Sequence, residues 1–401
     1  MAYTDFIAAI DLGTSHMVGM VGTKNATGAL SIIAYEVENS GTCIRRGCVY
    51  NVKETASKIK RLILKLENKL GGTKIGQVYV GLGGQSLRSI EHTVCKVLGT
   101  EGVVTEEIID SLYQECKDYR PDMLTVLDVV SPSYFLDDKP ESNPVGVPCS
   151  RIEARYKLIV GRPSLKLNII NSISEQAKIE IAGILVSPLA LGDVVLSDNE
   201  KDLGCALIGF GAGVTTITVY KGGKLASLSV VPFGGNLITK DITNLRVVES
   251  EAERLKITYG SAKADRDNDM TIQVSLADGM GLREIKLAEL NGVIEARMDE
   301  ILENVYARLE ATGLMSVLGA GIVITGGGAA LKNLPAIMSE RLKMEVRYSA
   351  VRKGIVASGD LVVASNPEYA VAVGLLAKGT KNCALYIPCL LYTSPSPRDR
   401  S

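Results

Sequence analysis

Apolar residues along the chain follow two periods, and the switches between them predict alternating strands and helices. Short β-type runs at Ile7-Ala8-Ala9-Ile10 and Met17-Val18-Gly19-Met20-Val21, joined by Asp11-Leu12-Gly13-Thr14-Ser15, predict a hairpin. Over 53–70, Ala56, Ile59, Leu62, Ile63 and Leu66 form one helical stripe with Lys and Arg opposite, and Gly71-Gly72 stops it. The pattern then predicts a strand over 90–97 and a helix from an N-cap at Thr105, with Glu106 and Glu107 in its first turn, to about 117. Strands follow near 124–132 and 154–161. Between them, 137–148 carries Pro140, Pro144, Gly146 and Pro148 and reads as a surface loop. Ser164 opens a helix expected to reach 181, followed by a strand at Ile184-Leu185-Val186. Helices are expected over 248–260 and 289–309, a polar turn over 265–269 and a strand over 272–276.

Composition narrows the function classes. With 44 Lys+Arg against 45 Asp+Glu the net charge is −1, so the chain lacks the basic excess of a dedicated nucleic-acid binder. Its 401 residues suggest two or three domains at roughly 150 residues each. No run approaches the ~18 apolar residues of a membrane span, and the start lacks the build of a signal peptide, which together read as a soluble intracellular protein. Eight Cys without a C-x-x-C pair and two His offer no zinc spacing and little room for Ser-His-Asp chemistry. The cysteines read as reduced thiols packed as small hydrophobes. What stands out is Gly, at 40 residues.

The glycines fall in three clusters. In the first hairpin, Gly13 leaves room for a ligand to approach backbone N–H groups, and Asp11, Thr14 and Ser15 sit at the turn mouth. A second cluster has the same build: Cys205-Ala206-Leu207-Ile208, then Gly209-Phe210-Gly211-Ala212-Gly213, then an apolar-alternating run from Val214 to Tyr220. Gly211 follows Gly13 by 198 residues, and the same offset sets Ile208 on Ile10 and Thr216 on Val18, which suggests a duplicated domain with two facing loops. The third cluster is a buried run, Gly321 to Thr325, then Gly326-Gly327-Gly328 and a helical stretch, a form in which backbone amides meet phosphate or nucleotide. No Walker or Rossmann fingerprint is present.

The order hairpin, hairpin, strand-GGG-helix resembles the actin-like ATPase superfamily. Within it the chain resembles FtsA, the bacterial cell-division actin homologue. The narrower likeness rests on I-D-L-G-T-S at Ile10 to Ser15, V-Y-V-G-L-G-G-Q-S-L-R-S from Val78, P-F-G-G-N-L-I-T-K-D-I from Pro232, Glu251-Ala252-Glu253-Arg254-Leu255-Lys256 with Tyr259-Gly260, and V-I-T-G-G-G from Val323. The stretch from Val78 discriminates, since actin-like chaperones, sugar kinases and MreB lack it. The resemblance implies an α/β actin-like ATPase fold of two related halves around a nucleotide cleft: a first core subdomain over 1–82 and 164–198, an FtsA-type inserted subdomain over 83–163, a second core subdomain over 199–241 and 310–381, and an outer subdomain over 242–309.

The resemblance also implies ATP and Mg²⁺ in the cleft. Asp11 would hold Mg²⁺, through waters, and serve as the catalytic acid. Gly13, Thr14 and Ser15, with Gly211, Ala212, Gly213 and Thr215, would receive the phosphates. Glu253 and Lys256, three apart on one helical face, would reach the ribose and adenine side; the same spacing also makes an ordinary i,i+3 ion pair. Gly326, Gly327 and Gly328 would pass under the adenosine. Gly234, Gly235 and Asn236 read either as another nucleotide-side turn or as a helix N-cap at Asn236. Gly209 departs from the family, which carries an Asp there, so binding with slow or absent hydrolysis is expected.

FtsA-like proteins polymerise, bind FtsZ through the outer subdomain of the second half and anchor peripherally to the inner face of the cytoplasmic membrane at the division site through a C-terminal amphipathic helix. Residues 382–401, with Pro388 and a final polar stretch, carry no such helix and read as an irregular, non-native tail. Two other readings stay open: an actin-fold small-molecule kinase, and a pilus-assembly or ethanolamine-type actin-fold binder.

Overall fold

Strands β1 (Ile7–Leu12) and β2 (His16–Lys24) fold back on each other with Asp11 opposite Val18. The computed structural model describes residues 5–100, 102–275, 281–357 and 361–385. β3 (Leu30–Asn39) extends the meander, and a small hairpin of β4 (Ile44–Arg45) and β5 (Cys48–Val49) leads to α1 (Val52–Lys69). Asn51 caps α1 by accepting the Glu54 N–H, and the expected stripe of Ala56, Ile59, Leu62, Ile63 and Leu66 is buried. β6 (Gln77–Leu82) then runs parallel to β1.

The chain next builds a separate four-stranded sheet, from β7 (Arg88–Val97), α2 (Glu106–Asp118), β8 (Thr125–Leu136), β9 (Lys139–Glu141) and β10 (Arg151–Gly161), in the order β7-β10-β8-β9. It has its own core, with Leu112, Cys116, Ile152, Tyr156 and Leu158 at the centre. Thr105 caps α2 as expected. The stretch read as a loop over 137–148 instead begins with a hairpin, because Asp137 (φ 45°) and Asp138 (φ 67°) both adopt the left-handed conformation that a two-residue turn needs.

Returning, the helix expected to reach 181 stops early. α3 (Ser164–Ile170) passes into one π turn over Asn171–Gln176, and β11 (Glu180–Val186) pairs parallel with β6. The pairing available at β6 overrides helical continuation, and Lys178 (φ 61°) makes the corner. α4 (Ser187–Val195) and α5 (Asp198–Leu203) lead to the second half.

There β12 (Cys205–Phe210), β13 (Thr215–Lys221) and β14 (Lys224–Val231) repeat the meander, with Gly209 opposite Thr216. This is the Asp11–Val18 pairing moved by the offset read in the sequence. After α6 (Gly235–Ile242), α7 (Glu249–Tyr259), β15 (Thr271–Ser275), β16 (Leu282–Lys286) and α8 (Leu287–Glu310), β17 (Ile322–Thr325) runs parallel to β12. α9 (Leu334–Leu342) and β18 (Val346–Tyr348) follow. The two large sheets, β3-β2-β1-β6-β11 and β14-β13-β12-β17-β18, therefore have one topology: a three-stranded meander followed by two parallel strands.

Two boundaries differ from expectation. α10 (Leu361–Ser365) and α11 (Ala370–Lys378) were placed with the second half, yet α11 packs on α4 and β1 and its Ala372, Val373, Leu375 and Leu376 belong to the first half's core. Its apolar face has its complement there. The irregular tail was expected to start at 382, but Cys383 is buried, its N–H donates to Phe6 O at 2.7 Å, and Ala384 bridges Ile75. Residues 386–401, the rest of that expected tail, lie outside the described residues.

Candidate functional site

The two equivalent hairpins face one cleft of about 210 Å³, closed at one end by the turn after β17. Asp11, Gly13, Thr14, Ser15, Gly211, Ala212, Gly213, Gly326 and Gly327 all line it. Thr215, Glu253, Lys256 and Gly328 do not line it. Thr215 is buried on the far face and donates to Phe233 O at 2.9 Å, whereas its neighbour Thr216, one step along a strand and so on the opposite face, opens to the cleft. Gly328 serves packing, since a Cβ there would stand 2.9 Å from Phe210 Cβ. Gly326 (φ 86°) lies so close to Phe210 O, 2.4 Å from its would-be Cβ, that only glycine fits. The three glycines lead into a 3-10 turn over Gly327–Ala330, and the helix expected to follow directly begins at Leu334.

The loop geometry supplies donors. The α6 amides of Gly235 and Asn236 donate to Gly211 O (2.9 Å) and Ala212 O (2.8 Å), fixing both carbonyls away from the cleft. Because N–H and C=O of one peptide plane point in opposite directions, the Ala212 and Gly213 N–H groups are turned the other way. Neither has a partner among the described residues. Asn236 is thus in the first turn of α6 and Gly234 is the N-cap. In the first hairpin Ser40 performs the same service: its hydroxyl donates to Gly13 O at 2.7 Å and its N–H to Ser15 O at 3.0 Å. Such arrays of oriented amides suit an anion.

Asp11 is the buried acid of the site. Burial pushes its carboxyl up to about 6, opposed by the Leu12 N–H. Gly81 on β6 leaves room for it, since a Cβ there would meet Asp11 Oδ1 at 3.2 Å and Ser187 Oγ at 2.5 Å. Opposite, Thr325 is buried and its hydroxyl has no hydrogen-bond partner. A desolvated carboxylate and an orphaned hydroxyl fit a hydrated divalent cation with its phosphate. Among the described residues no group of three His, Cys, Asp or Glu forms a protein-only metal site, and the seven described cysteines are free thiols.

Sequence reasoning missed Thr216, Thr325, Ser187, Glu368 and His16 as cleft-lining residues. Strand alternation from Gly209 would have found Thr216; Ser187 and Glu368 come from elements whose approach only the fold reveals. Glu253 and Lys256 pair with each other at 2.7 Å, as the ion-pair reading of their spacing allowed. A larger, shallower groove of about 770 Å³ runs along the edge strand β11, lined by Lys166, Ile170 and Lys178 among others, and brings no loop amides together.

Two sheets of one topology, duplicated hairpins and a glycine turn closing the cleft define an actin-like ATPase fold. Solved structures agree: the "PilM-PilN type IV pilus biogenesis complex" (TM-score 0.65, 16% identity, covering 94% of this chain and 98% of that one), MreB5 of Spiroplasma citri bound to ADP (0.53, 15%, 92% and 95%) and the MamK double helical filament (0.54, 11%, 94% and 99%). These likenesses fix the fold alone. In sequence, the family profile described as "Cell division protein FtsA" matches residues 206–374. Cell division protein FtsA of Porphyromonas gingivalis (strain ATCC BAA-308 / W83) is 39% identical over 382 residues, covering 95% of this chain and 79% of the relative. That of Bacillus subtilis (strain 168) is 31% identical over 392 residues, covering 96% and 86%. The chain belongs to the FtsA family of cell division proteins.

Proposed function

We propose that the chain binds ATP with Mg²⁺ in the cleft, assembles with copies of itself and recruits the FtsZ ring, which the natural protein would link to the cytoplasmic membrane through a C-terminal segment, with hydrolysis weak or absent. The observation that carries the nucleotide reading is the pair of turns facing one cleft, each with its carbonyls tied back, and the Ala212 and Gly213 amides left without a partner among the described residues. Asp11 would hold the hydrated Mg²⁺, and Gly13, Thr14, Ser15, Gly211, Ala212 and Gly213 the phosphates. Gly326 and Gly327 would lie beneath the nucleoside. MreB5 crystallised with ADP and with AMPPNP, and MamK seen as a filament, support nucleotide binding and self-assembly as properties of this fold. FtsZ recruitment and membrane linkage are proposed from the family.

Slow turnover is proposed from Gly209, which leaves Asp11 without a second hairpin carboxylate to orient the attacking water. Calorimetric titration with Mg-ATP tests the pocket, and absence of binding by folded protein would refute it. Co-sedimentation with FtsZ, with and without ATP, tests the adaptor role: the chain should pellet with FtsZ polymers, and its remaining in the supernatant under both conditions would refute that role.

A further inference from the structure

The inserted subdomain belongs to the first half by chain connection, yet it lies on the second. β14, the edge strand of the second sheet, meets β7, β8 and β10 there. Leu228 N–H donates to Ser89 Oγ at 2.8 Å, and Leu225 N–H to Ser131 Oγ at 2.9 Å. Lys224 Nζ donates to Pro132 O at 2.6 Å and to Ser133 Oγ at 2.9 Å. Leu225, Leu228 and Val230 are buried in one apolar cluster with Leu87 and Ile159, and Leu127 and Val130 pack against that cluster. The inserted sheet is shaped for this seat. Between the pairs Val130–Lys157 and Ser133–Arg155, β8 sets Ser131 and Pro132 against the single Tyr156, a bulge in which Ser131 takes a left-handed backbone (φ 53°). That is where the Ser131 hydroxyl and the Pro132 carbonyl reach β14. An edge strand ordinarily offers its N–H groups to another strand; here side-chain hydroxyls take them, so the seat can open without unpairing a sheet.

The subdomain's other attachment is firmer. The chain enters it through Gly83 and Gly84, which line the cleft, and leaves it at Gly161, the end of β10. A Cβ at Gly84 would stand 2.7 Å from Leu165 Cδ2, and one at Gly161 2.7 Å from Leu165 Cδ1, so both connections clasp one buried side chain. Close packing of this kind resists bending. The halves also touch inside the cleft, where a Cβ at Gly213 would lie 2.5 Å from Thr14 Oγ1. Motion that separates this pair draws β14 away from Ser89 and Ser131, and with the root clasped it is the seat that gives. We propose that the inserted subdomain is a latch, closed on β14 while the cleft is closed and released when the two halves part. Linkage makes the coupling reciprocal: whatever parts the cleft frees the subdomain, and whatever lifts the subdomain from β14 loosens the cleft. The latch does not depend on which ligand the cleft takes.

Hydrogen exchange of the ligand-free full chain tests both directions. From the cleft side, Gly213→Ala should raise exchange severalfold at the Leu225 and Leu228 N–H groups, which bond across the seat. The β14 amides bonded to β13 should stay near the parent rate. Parent-rate exchange at Leu225 and Leu228, or an equal rise along the whole of β14, would overturn the latch. From the seat side, Ser89→Ala with Lys224→Met changes two residues that do not line the cleft. Peptides covering 13–16 and 211–214 should then exchange about tenfold faster, the scale of the hydrogen bonds removed. Unchanged exchange at those cleft turns would overturn the latch. Ser89→Ala alone gives the same readout with a smaller rise if the pair of substitutions does not fold, and no rise there would equally overturn it.

Discussion

Asp11, proposed to hold the cation, illustrates how a cleft acid opposes the stability of its own fold. Unfolded, its carboxyl titrates near the ordinary aspartate value of about 4; folded, burial moves it to about 6. Between those values the unfolded chain releases a proton that the folded chain keeps, so stability falls as pH rises, and above about 6 the full cost applies, on the order of 3 kcal/mol. Asp11→Asn removes the charge with little change of shape. The nucleotide-free variant should therefore melt above the parent at pH 7.5 and close to it at pH 4, while losing the melting shift that Mg-ATP gives the parent. A variant that melts lower at pH 7.5, or that keeps the Mg-ATP shift, would contradict the role given to Asp11. Gly209 is the complementary case. An Asp there would set its Cβ 2.6 Å from Thr216 Oγ1, so the acid has to be restored together with Thr216→Ala. Gly209→Asp with Thr216→Ala should hydrolyse ATP faster than Thr216→Ala alone, measured by phosphate release under saturating Mg-ATP. Equal rates would mean that the second carboxylate does not limit turnover.

At the level of elements, the turn between β8 and β9 makes its own prediction. Asp137 is held there by the Ser150 and Arg151 amides, which its carboxylate accepts at 3.1 and 2.9 Å, whereas Asp138 makes one long exposed ion pair with Arg151 and keeps a left-handed backbone. Asp138→Gly should relieve that conformation and raise stability by up to about 1 kcal/mol in urea unfolding; a lower midpoint would show that the aspartate side chain matters more than the backbone. The same turn explains why β9 was not legible: two adjacent aspartates adopt positive φ without the glycine that usually announces it. α3 failed for a different reason, since Ile179 and Ile181 suit either a helical stripe or a strand, and only the unpaired edge of β6 decides. By contrast α1, α2 and both cleft hairpins were readable because stripe, cap and turn all agreed locally. The cleft residues at the hairpin turns came with them, although Thr215 was read in place of its neighbour Thr216 and His16 was passed over. Lys256 was read from its spacing and from the family resemblance, which say which face it occupies and nothing of the α6 carbonyl it meets.

For the whole molecule, the question is how the proposed nucleoside triphosphate would enter. A cleft of about 210 Å³ is below the roughly 300–1,000 Å³ of small-molecule sites, so the proposed nucleotide would either extend out of its open mouth or require the two halves to part. The contact that would break is visible: a Cβ at Gly213 in the second half would lie 2.5 Å from Thr14 Oγ1 and 2.9 Å from Arg46 Cα in the first. Gly213→Ala forces that contact open while keeping the amide that phosphate would use. In the nucleotide-free protein it should therefore cost on the order of 1–3 kcal/mol, as overpacking does, and lower the melting temperature. If Mg-ATP binds the parted arrangement, the parent spends part of its binding free energy on opening and the variant does not. The Mg-ATP-induced melting shift should then be larger in Gly213→Ala than in the parent, although the variant starts lower. An unchanged starting stability, or a shift smaller than the parent's, would mean that the halves accept nucleotide without separating at this contact.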